Sequence, residues 1–329
     1  MISKSQIKKM CMVMAIFLAI AYFGITTSEA KDPAYPQKPI VIIVPFPPGG
    51  ATDLVPRIYA PVLSKRWGVP IMIVNKPGGS GIVGVLEAMK ASPDGYILMS
   101  DVPGASSSQS VHGGELPYKV ENRTFIARIV SLPMTIVVRA DSPWKNLDDV
   151  AEAIRKDPTN FKWGGAGGTT IVDVGLLQLK KAFAQKGIDL SQTKDVQFQG
   201  SPVITALGGG HVDISCGTFA MVGSMASAGK IRIIAVNGTE RYKGHPDIKT
   251  TAEQGYPSVD CANWIGLSGP PGLAENIVQT WGEGLKEVFN EPQMVENFAK
   301  IGAVPSFLAS DGFKKFVLDE IKVMKALYK

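Results

Sequence analysis

The sequence predicts an α/β fold built from two similar units, each a mostly parallel β-sheet with helices on its faces. Three observations support this prediction: short β-branched strands alternate with helical segments, glycine-rich turns follow several strands, and the pattern restarts half-way along the chain. The length of 329 residues suits about two domains of roughly 100–150 residues each. Hydrophobic residues make up 45% and charged residues 19%, which is typical of a globular chain.

The first thirty residues have the features of a secretory signal peptide. Lys4, Lys8 and Lys9 form a positive start, Met10–Ile25 is almost entirely apolar, and Ser28–Ala30 places small residues at the cleavage positions. The alternative is an uncleaved membrane anchor, but an apolar stretch of about 16 residues is shorter than the roughly 20 that span a bilayer. We therefore expect cleavage after residue 30 and export across the inner membrane.

The first unit is predicted to run strand, helix, strand, helix, strand. Ile40–Val44 is a continuous β-branched run, which indicates a strand buried on both faces. Apolar residues recur at helical spacing from Leu54 to Trp67, and Pro56 is tolerated because it falls in the first turn. The other predicted elements are a strand at Ile71–Val74, a helix at Val83–Lys90 and a strand at Tyr96–Met99.

The second unit repeats this order and is followed by a helical tail. A strand at Met134–Val138 precedes a helix from Leu147 to Arg155, a strand at Phe161–Trp163 and a helix at Val172–Phe183. Further strands are predicted at Val196–Phe198, Val212–Ser215, Ile231–Val236 and Ala262–Leu267, and helices at Ala274–Asn290 and Asp311–Lys329. Two α/β units with a helical return suggest two lobes with a ligand between them.

Two glycine-rich loops, Pro45–Asp53 and Gly164–Thr170, connect a strand to a helix at equivalent places in the two units. Such loops point backbone N–H groups at a ligand, and the helix N-terminus adds roughly half a positive charge. The carboxyl edge of an open α/β sheet is also where ligands bind. We expect the two loops to hold the two ends of a small anion, with tight turns alone as the alternative.

Asp53 has two interpretations. It is an acid in the first turn of a helix, where the helix dipole favours it. In a functional role it either holds the shape of the loop or contacts an ammonium group on the ligand.

Gly79–Gly84 matches the G-x-G-x-x-G pattern of dinucleotide-binding proteins, and Asp101 follows at about the expected distance. We discount this match because an exported protein rarely meets free NAD. The loop also begins with Lys76 and Pro77, an unusual entry for that motif. We therefore predict no cofactor.

Other catalytic signatures are missing from the sequence. It contains no G-x-S-x-G or H-E-x-x-H motif, and its three histidines are scattered. We predict no catalytic residue, no metal site and no enzyme activity. The net charge of +5 comes without a basic block interleaved with aromatics, so nucleic acid is excluded as a partner.

Cys216 and Cys261 are the two cysteines left once the signal segment is removed. Outside the inner membrane they are able to pair, but their spacing says nothing about the distance between them. A disulfide and two buried thiols remain open alternatives.

A succession of short motifs resembles the Bug (TctC) family, the extracytoplasmic solute receptors of tripartite tricarboxylate transporters. The motifs occur in order over essentially the whole mature chain, at Tyr35–Ile40, Val44–Asp53, Asn75–Gly81, Pro93–Tyr96, Gln199–Pro202, Gly209–Asp213, Ala228–Arg232, Thr251–Gly255 and Trp264–Gly266. The resemblance implies a type II periplasmic binding-protein fold, with two doubly wound α/β lobes and the ligand in the cleft between them. Lobe 1 is then residues 31–133 plus 259–329, lobe 2 is 134–258, and Met134–Val138 and Ala262–Leu267 are the strands that cross between them.

The resemblance also implies a function and a site. Such a receptor captures a small organic carboxylate in the periplasm and delivers it to the membrane permease subunits, and we expect a monomer. The implied ligand-binding residues are Phe46, Pro48, Gly49, Gly50, Ala51, Thr52 and Asp53 in lobe 1, and Gly165, Ala166, Gly167, Gly168, Thr169, Thr170, Gly200 and Asp213 in lobe 2.

The second loop departs from the family pattern, which is usually rich in hydroxyl groups. Two hydroxyl donors are missing from Gly165–Thr170, and Thr170 keeps the last one. This departure leaves room for monocarboxylates or aromatic acids besides citrate-like ligands. Two alternative functions stay open at this stage: a receptor of the same fold that signals to a membrane sensor, and an exported enzyme.

Overall fold

The fold is described from a computed structural model, which describes residues 35–108, 116–167, 170–198 and 200–328. Residues 38–329 form one compact unit. Its strands are β1 (Ile40–Val44), β2 (Ile71–Asn75), β3 (Ile97–Asp101), β4 (Thr124–Arg139), β5 (Lys162–Gly165), β6 (Lys194–Gln197), β7 (Ile214–Thr218), β8 (Ile231–Val236), β9 (Ala262–Gly269) and β10 (Val304–Ala309). Its α-helices are α1 (Ala51–Trp67), α2 (Ile82–Met89), α3 (Leu147–Lys156), α4 (Ile171–Gln185), α5 (Pro202–Gly208), α6 (Phe219–Ser227), α7 (Glu275–Val288), α8 (Pro292–Lys300) and α9 (Ser310–Leu327).

The first sheet begins with the predicted strand–helix–strand unit. β1 lies between β2 and β3 and is parallel to both, with Ile42 opposite Ile73 on one side and Leu98 on the other. The carboxyl ends of the three strands therefore lie at one sheet edge. β3 then pairs antiparallel with β9, and β9 pairs antiparallel with β4. The predicted parallel arrangement of the first unit is confirmed.

β4 is a strand of 16 residues that takes part in both halves of the sheet. Its first half pairs with β9 and β10, and its second half pairs with β7 and β8. The exchange falls between Pro133, which lies opposite Ala262, and Met134, which lies opposite Thr218. The sequence prediction found only the second half of this strand. Register shifts between Phe125 and Val130 interrupt the regular alternation that marks a strand in sequence.

The second half of the sheet repeats the parallel arrangement around β5, which lies between β6 and β7 and is parallel to both. Its core contains Trp163, Phe183 and Tyr256, all fully buried, with Phe183 packed edge-on against Tyr256. Helix α9 bridges two of the hydrophobic clusters, because Phe313 packs with Phe125 and Trp264 while Met324 belongs to the cluster around Trp163. The predicted α/β class is confirmed, and the exact lobe boundaries stay a prediction.

Several short elements escaped the sequence prediction: α5, α6, α8 and β10. Each spans nine residues or fewer, so few turns of periodicity were available to reveal it. The predicted signal segment, residues 1–30, lies outside the described residues. Among the described residues no helix is long and apolar enough to cross a membrane.

A buried ion pair links the end of β3 to Arg123, the residue immediately before β4. Arg123 Nη1 donates to Asp101 Oδ1 at 2.8 Å, and both side chains are fully buried. The same carboxylate accepts from Ser268 Oγ on β9 at 2.6 Å and from the Ser106 hydroxyl. The network thereby joins β3, β9 and the loop that follows β3, at the sheet edge where β1 also ends.

We expect Arg123→Met to lower the free energy of unfolding by about 3–5 kcal/mol, because it leaves the buried Asp101 carboxylate without its cation. Urea denaturation at neutral pH measures this loss. Arg155→Met is the matched control, since the Arg155–Glu152 pair is about half exposed and should contribute less than about 1 kcal/mol. Equal losses in the two variants would contradict the assignment.

Candidate functional site

The first glycine loop joins β1 to α1 and is largely exposed at Pro48, Gly49 and Gly50. Gly49 has φ +92°, a backbone conformation that residues with side chains rarely adopt. Gly50 is the N-cap of α1 in an extended conformation and, having no side chain, provides no cap. The N–H groups at Ala51 and Thr52 belong to the first turn, which has no acceptor within the helix itself. These groups form an uncapped helix N-terminus beside a glycine turn.

Asp53, the third residue of α1, holds this loop in shape. Its Oδ2 accepts from Gly49 N at 3.0 Å, and its Oδ1 accepts from Arg57 Nε at 2.9 Å and from Asn75 Nδ2 at 3.0 Å. Asn75 Nδ2 also donates to the Phe46 carbonyl, 3.0 Å away. Of the two functional interpretations of Asp53, this geometry favours the support of the loop.

The negative charge of Asp53 is balanced by its immediate neighbours. Burial alone would raise the pKa of its carboxyl, but hydrogen bonds from Arg57, Gly49 and Asn75 outweigh burial and hold the pKa below its ordinary value. The carboxylate is therefore ionised at neutral pH, and Arg57 forms an ion pair with it at 2.8 Å. An anion that approaches the N-terminus of α1 therefore meets an aspartate whose negative charge is balanced by Arg57, and not an unpaired negative charge.

The remaining residues of the first loop differ in their surroundings. The Phe46 ring packs against the turns that follow β2 and β3, since a Cβ placed on Gly81 or Gly104 would lie 3.2 or 3.4 Å from it. Pro48 is exposed. A Cβ on Gly50 would have no atom within 4 Å, so the space beside this residue is open.

The second glycine loop joins β5 to α4, and its described N–H groups donate within the protein. Ala166 N donates to Asp173 Oδ1 at 3.0 Å, and Gly167 N donates to Gln197 Oε1 at 3.1 Å. Thr170 donates twice to Asp173 Oδ2, from its backbone N at 3.0 Å and from its hydroxyl at 2.7 Å. The Thr170 hydroxyl, expected from the sequence to serve a ligand, thus has its proton directed to Asp173. Gly168 and Thr169 lie outside the described residues.

Gly200 lies beside this second loop and Asp213 does not. Gly200 N donates to the Ala166 carbonyl at 3.2 Å, and its φ of +74° suits a glycine. Asp213 Oδ2 accepts from Lys162 N at 2.7 Å, at the amino end of β5, whereas the loop follows Gly165 at the carboxyl end. Three residues of strand, about 10 Å, separate these ends. The structure therefore does not bring Asp213 together with the loop residues.

The two loops are built alike but are used differently. Asp53 and Asp173 are each the third residue of a helix, and each accepts a hydrogen bond from the preceding loop. Sequence reasoning missed Asp173, as well as the supporting amides of Asn75 and Gln197. An acid at the third helical position after a glycine loop is the signal that both aspartates share in the sequence. Gly50 provides no side-chain cap to the start of α1, whereas Ala166, Gly167 and Thr170 in the second loop donate to protein acceptors.

These features define a solute-binding protein of the two-lobe α/β class, and comparison with known proteins places it in a family. The family model described as "Tripartite tricarboxylate transporter family receptor" (TctC) matches residues 55–329. The chain belongs to this family.

Relatives and solved structures agree with this assignment. A UPF0065 protein from the TAR-I ttuE–ttuC′ intergenic region of Agrobacterium vitis is 30% identical, over 89% of this chain and 82% of its own. BugT of Bordetella pertussis is 29% identical over 94% of this chain and 93% of its own. Among structures, MatC of Rhodopseudomonas palustris with bound malate has a TM-score of 0.77 at 25% identity, covering 90% of this chain and 100% of its own. The periplasmic binding protein BugD has a TM-score of 0.75 at 26% identity, covering 89% and 97%.

We expect Asp53→Asn to lower the free energy of unfolding at neutral pH by about 2 kcal/mol, because the amide cannot accept from all three donors. The pKa of Asp53 is lowered on folding, so its contribution is fully present above the ordinary value of 3.8 and is lost as pH falls through the lower folded pKa. The variant should therefore lose less stability than the wild type on acidification below about pH 4.

Urea denaturation at several pH values measures both effects. Glu87→Gln is the matched control, since Glu87 is about half exposed and pairs with the exposed Lys76. Parallel acid profiles for Asp53→Asn and the wild type would contradict the role assigned to Asp53.

Proposed function

We propose that this protein is a periplasmic receptor that binds a small organic carboxylate between two lobes and delivers it to the permease subunits of a tripartite transporter. The observation that carries the proposal is the uncapped N-terminus of α1 at Gly50–Thr52. Backbone N–H groups and the helix dipole favour a carboxylate there without a cationic side chain. The family assignment supports the receptor role, and the malate named for MatC supports the ligand class.

The two loops make unequal contributions in this proposal. One carboxylate group of the ligand accepts from the N–H groups of Gly50, Ala51 and Thr52. The second loop closes over the other end of the ligand, where Ala166, Gly167 and Thr170 already donate to protein acceptors. We therefore expect ligands with one well-held carboxylate, such as monocarboxylates, aromatic acids or short dicarboxylates, to bind more tightly than citrate.

A thermal-shift screen tests the ligand class. The panel contains citrate, malate and other four-carbon dicarboxylates, acidic and neutral amino acids, nicotinate and other aromatic acids, with NAD as the control. A ligand at a hundred times its dissociation constant stabilises the protein by about 2.7 kcal/mol and raises the melting temperature. A response to one carboxylate class is the expected result. A response to NAD alone, or turnover of a bound carboxylate, would contradict a receptor role.

Gly50→Val tests the first loop specifically. Gly50 has φ −81°, and a Cβ at this position would have no atom within 4 Å, so the fold should accept a side chain that blocks the ligand. We expect at least a tenfold loss of carboxylate affinity, about 1.4 kcal/mol, by calorimetry. Gly282→Val in α7 is the control, since its Cβ also meets no atom within 4 Å. Unchanged affinity in folded Gly50→Val would remove the first loop from the site.

Delivery to a permease is tested separately, in cells. Deletion of the gene should abolish uptake of the radiolabelled carboxylate that binds best, and the wild-type gene should restore it. Normal uptake with loss of a transcriptional response to that carboxylate would instead support the sensor alternative.

A further inference from the structure

Cys216 and Cys261 lie together beneath α4, the helix that follows the second glycine loop. Cys216 is on β7, Cys261 immediately precedes β9, and both are buried as free thiols. Neither residue takes part in the proposed carboxylate site. Cys216 thus belongs to an internal strand of one half of the sheet, and Cys261 belongs to the segment that leads back to the other half.

The two sulfurs occupy one small space under α4. A Cβ placed on Gly175 would lie 2.7 Å from Cys216 Sγ and 3.1 Å from Cys261 Sγ, so the glycine in the helix makes room for both. Two buried thiols that border the same point meet the first geometric requirement for a disulfide, which is proximity.

The surroundings distinguish the two thiols chemically. Asn237 Nδ2 donates to Cys261 Sγ at 3.2 Å and lies farther from Cys216 Sγ, at 3.9 Å. The adjacent Cys261 thiol and burial raise the pKa of Cys216 well above its usual range. This raised pKa makes the Cys216 thiol a poor nucleophile in the reduced protein.

Cys261 is also the thiol that a small molecule can reach. It lines a cavity of about 520 Å³ between α4, α9, β4 and β9, together with Gln178, Asp260 and Trp264. Cys216 does not line this cavity and is completely buried. An oxidant that enters the cavity meets Cys261 first.

We propose that Cys216 and Cys261 form a redox-active pair that a low-molecular-weight disulfide oxidises through this cavity. The Cys261 thiolate attacks one sulfur of the disulfide RS–SR, which forms a Cys261–S–SR bond and releases RS⁻. With the Cys261 thiol consumed, Cys216 loses its proton as it attacks Cys261 Sγ, which forms the Cys216–Cys261 bond and expels the second thiolate as RSH. The protein loses two electrons and two protons, and RS–SR gains both as two RSH molecules.

The bond would fix β7 to the segment that enters β9, directly beneath α4. The same helix begins at Ile171 and carries Asp173, which holds the second glycine loop. The pair is thus a modification site independent of the carboxylate proposal.

The test uses cystamine, a small disulfide, on natively folded protein. Cys11→Ser is introduced throughout so that Cys216 and Cys261 are the only cysteines. Intact mass after acid quenching should fall by about 2 Da in this background as the disulfide forms. With Cys216→Ser added, the reaction should stop at the mixed disulfide, about 75 Da heavier. With Cys261→Ser added, the mass should not change.

A brief exposure of the Cys11→Ser protein gives a readout that does not depend on the other variants. The transient adduct should map to the peptide that contains Cys261, and circular dichroism checks that each protein is folded before oxidation. An unchanged mass, a reaction that stops at the adduct although both cysteines are present, or an adduct on Cys216 would overturn the proposal.

Discussion

Each glycine loop is held by an aspartate at the third position of the helix that follows it. Asp53 accepts from Gly49 N and Asp173 accepts from Ala166 N, so each carboxylate bends its loop back toward its own helix. The helix dipole favours an acid in the first helical turn, so it stabilises each aspartate at the position from which it holds its loop. The exposed donors of the first loop and the engaged donors of the second depend on this arrangement.

The balance of charge around the two aspartates separates the two loops. Asp53 is paired with Arg57, so the start of α1 keeps its attraction for an anion. Asp173 is satisfied by three donors from its own loop and helix start, and within the described chain no ion pair to it is seen. The two glycine loops thus differ in their charge environment, and under the proposed function this difference favours a ligand with one well-held carboxylate.

Much of this architecture was readable in the sequence because its signals are local. The β-branched run Ile40–Val44 and the glycine loops followed by periodic helices predicted the parallel units correctly. The first half of β4 was missed because its register shifts break the alternation of apolar and polar residues. Gln197 was missed because its contact with Gly167 joins residues that lie 30 positions apart in the sequence. Asp173 was missed although it occupies the third position of a helix after a glycine loop, as Asp53 does. Asp213 was placed from a motif, although its side chain faces the opposite end of β5.

The most direct measurement is an amide NMR titration of isotope-labelled protein with the carboxylate that binds best. The account predicts that the N–H resonances of Gly50, Ala51 and Thr52 shift most strongly, because these groups donate to the ligand. Ala166 and Gly167 should shift less, since their donors keep their protein acceptors. Saturable binding that leaves the resonances of Gly50–Thr52 unmoved would contradict the central claim that the start of α1 holds the carboxylate.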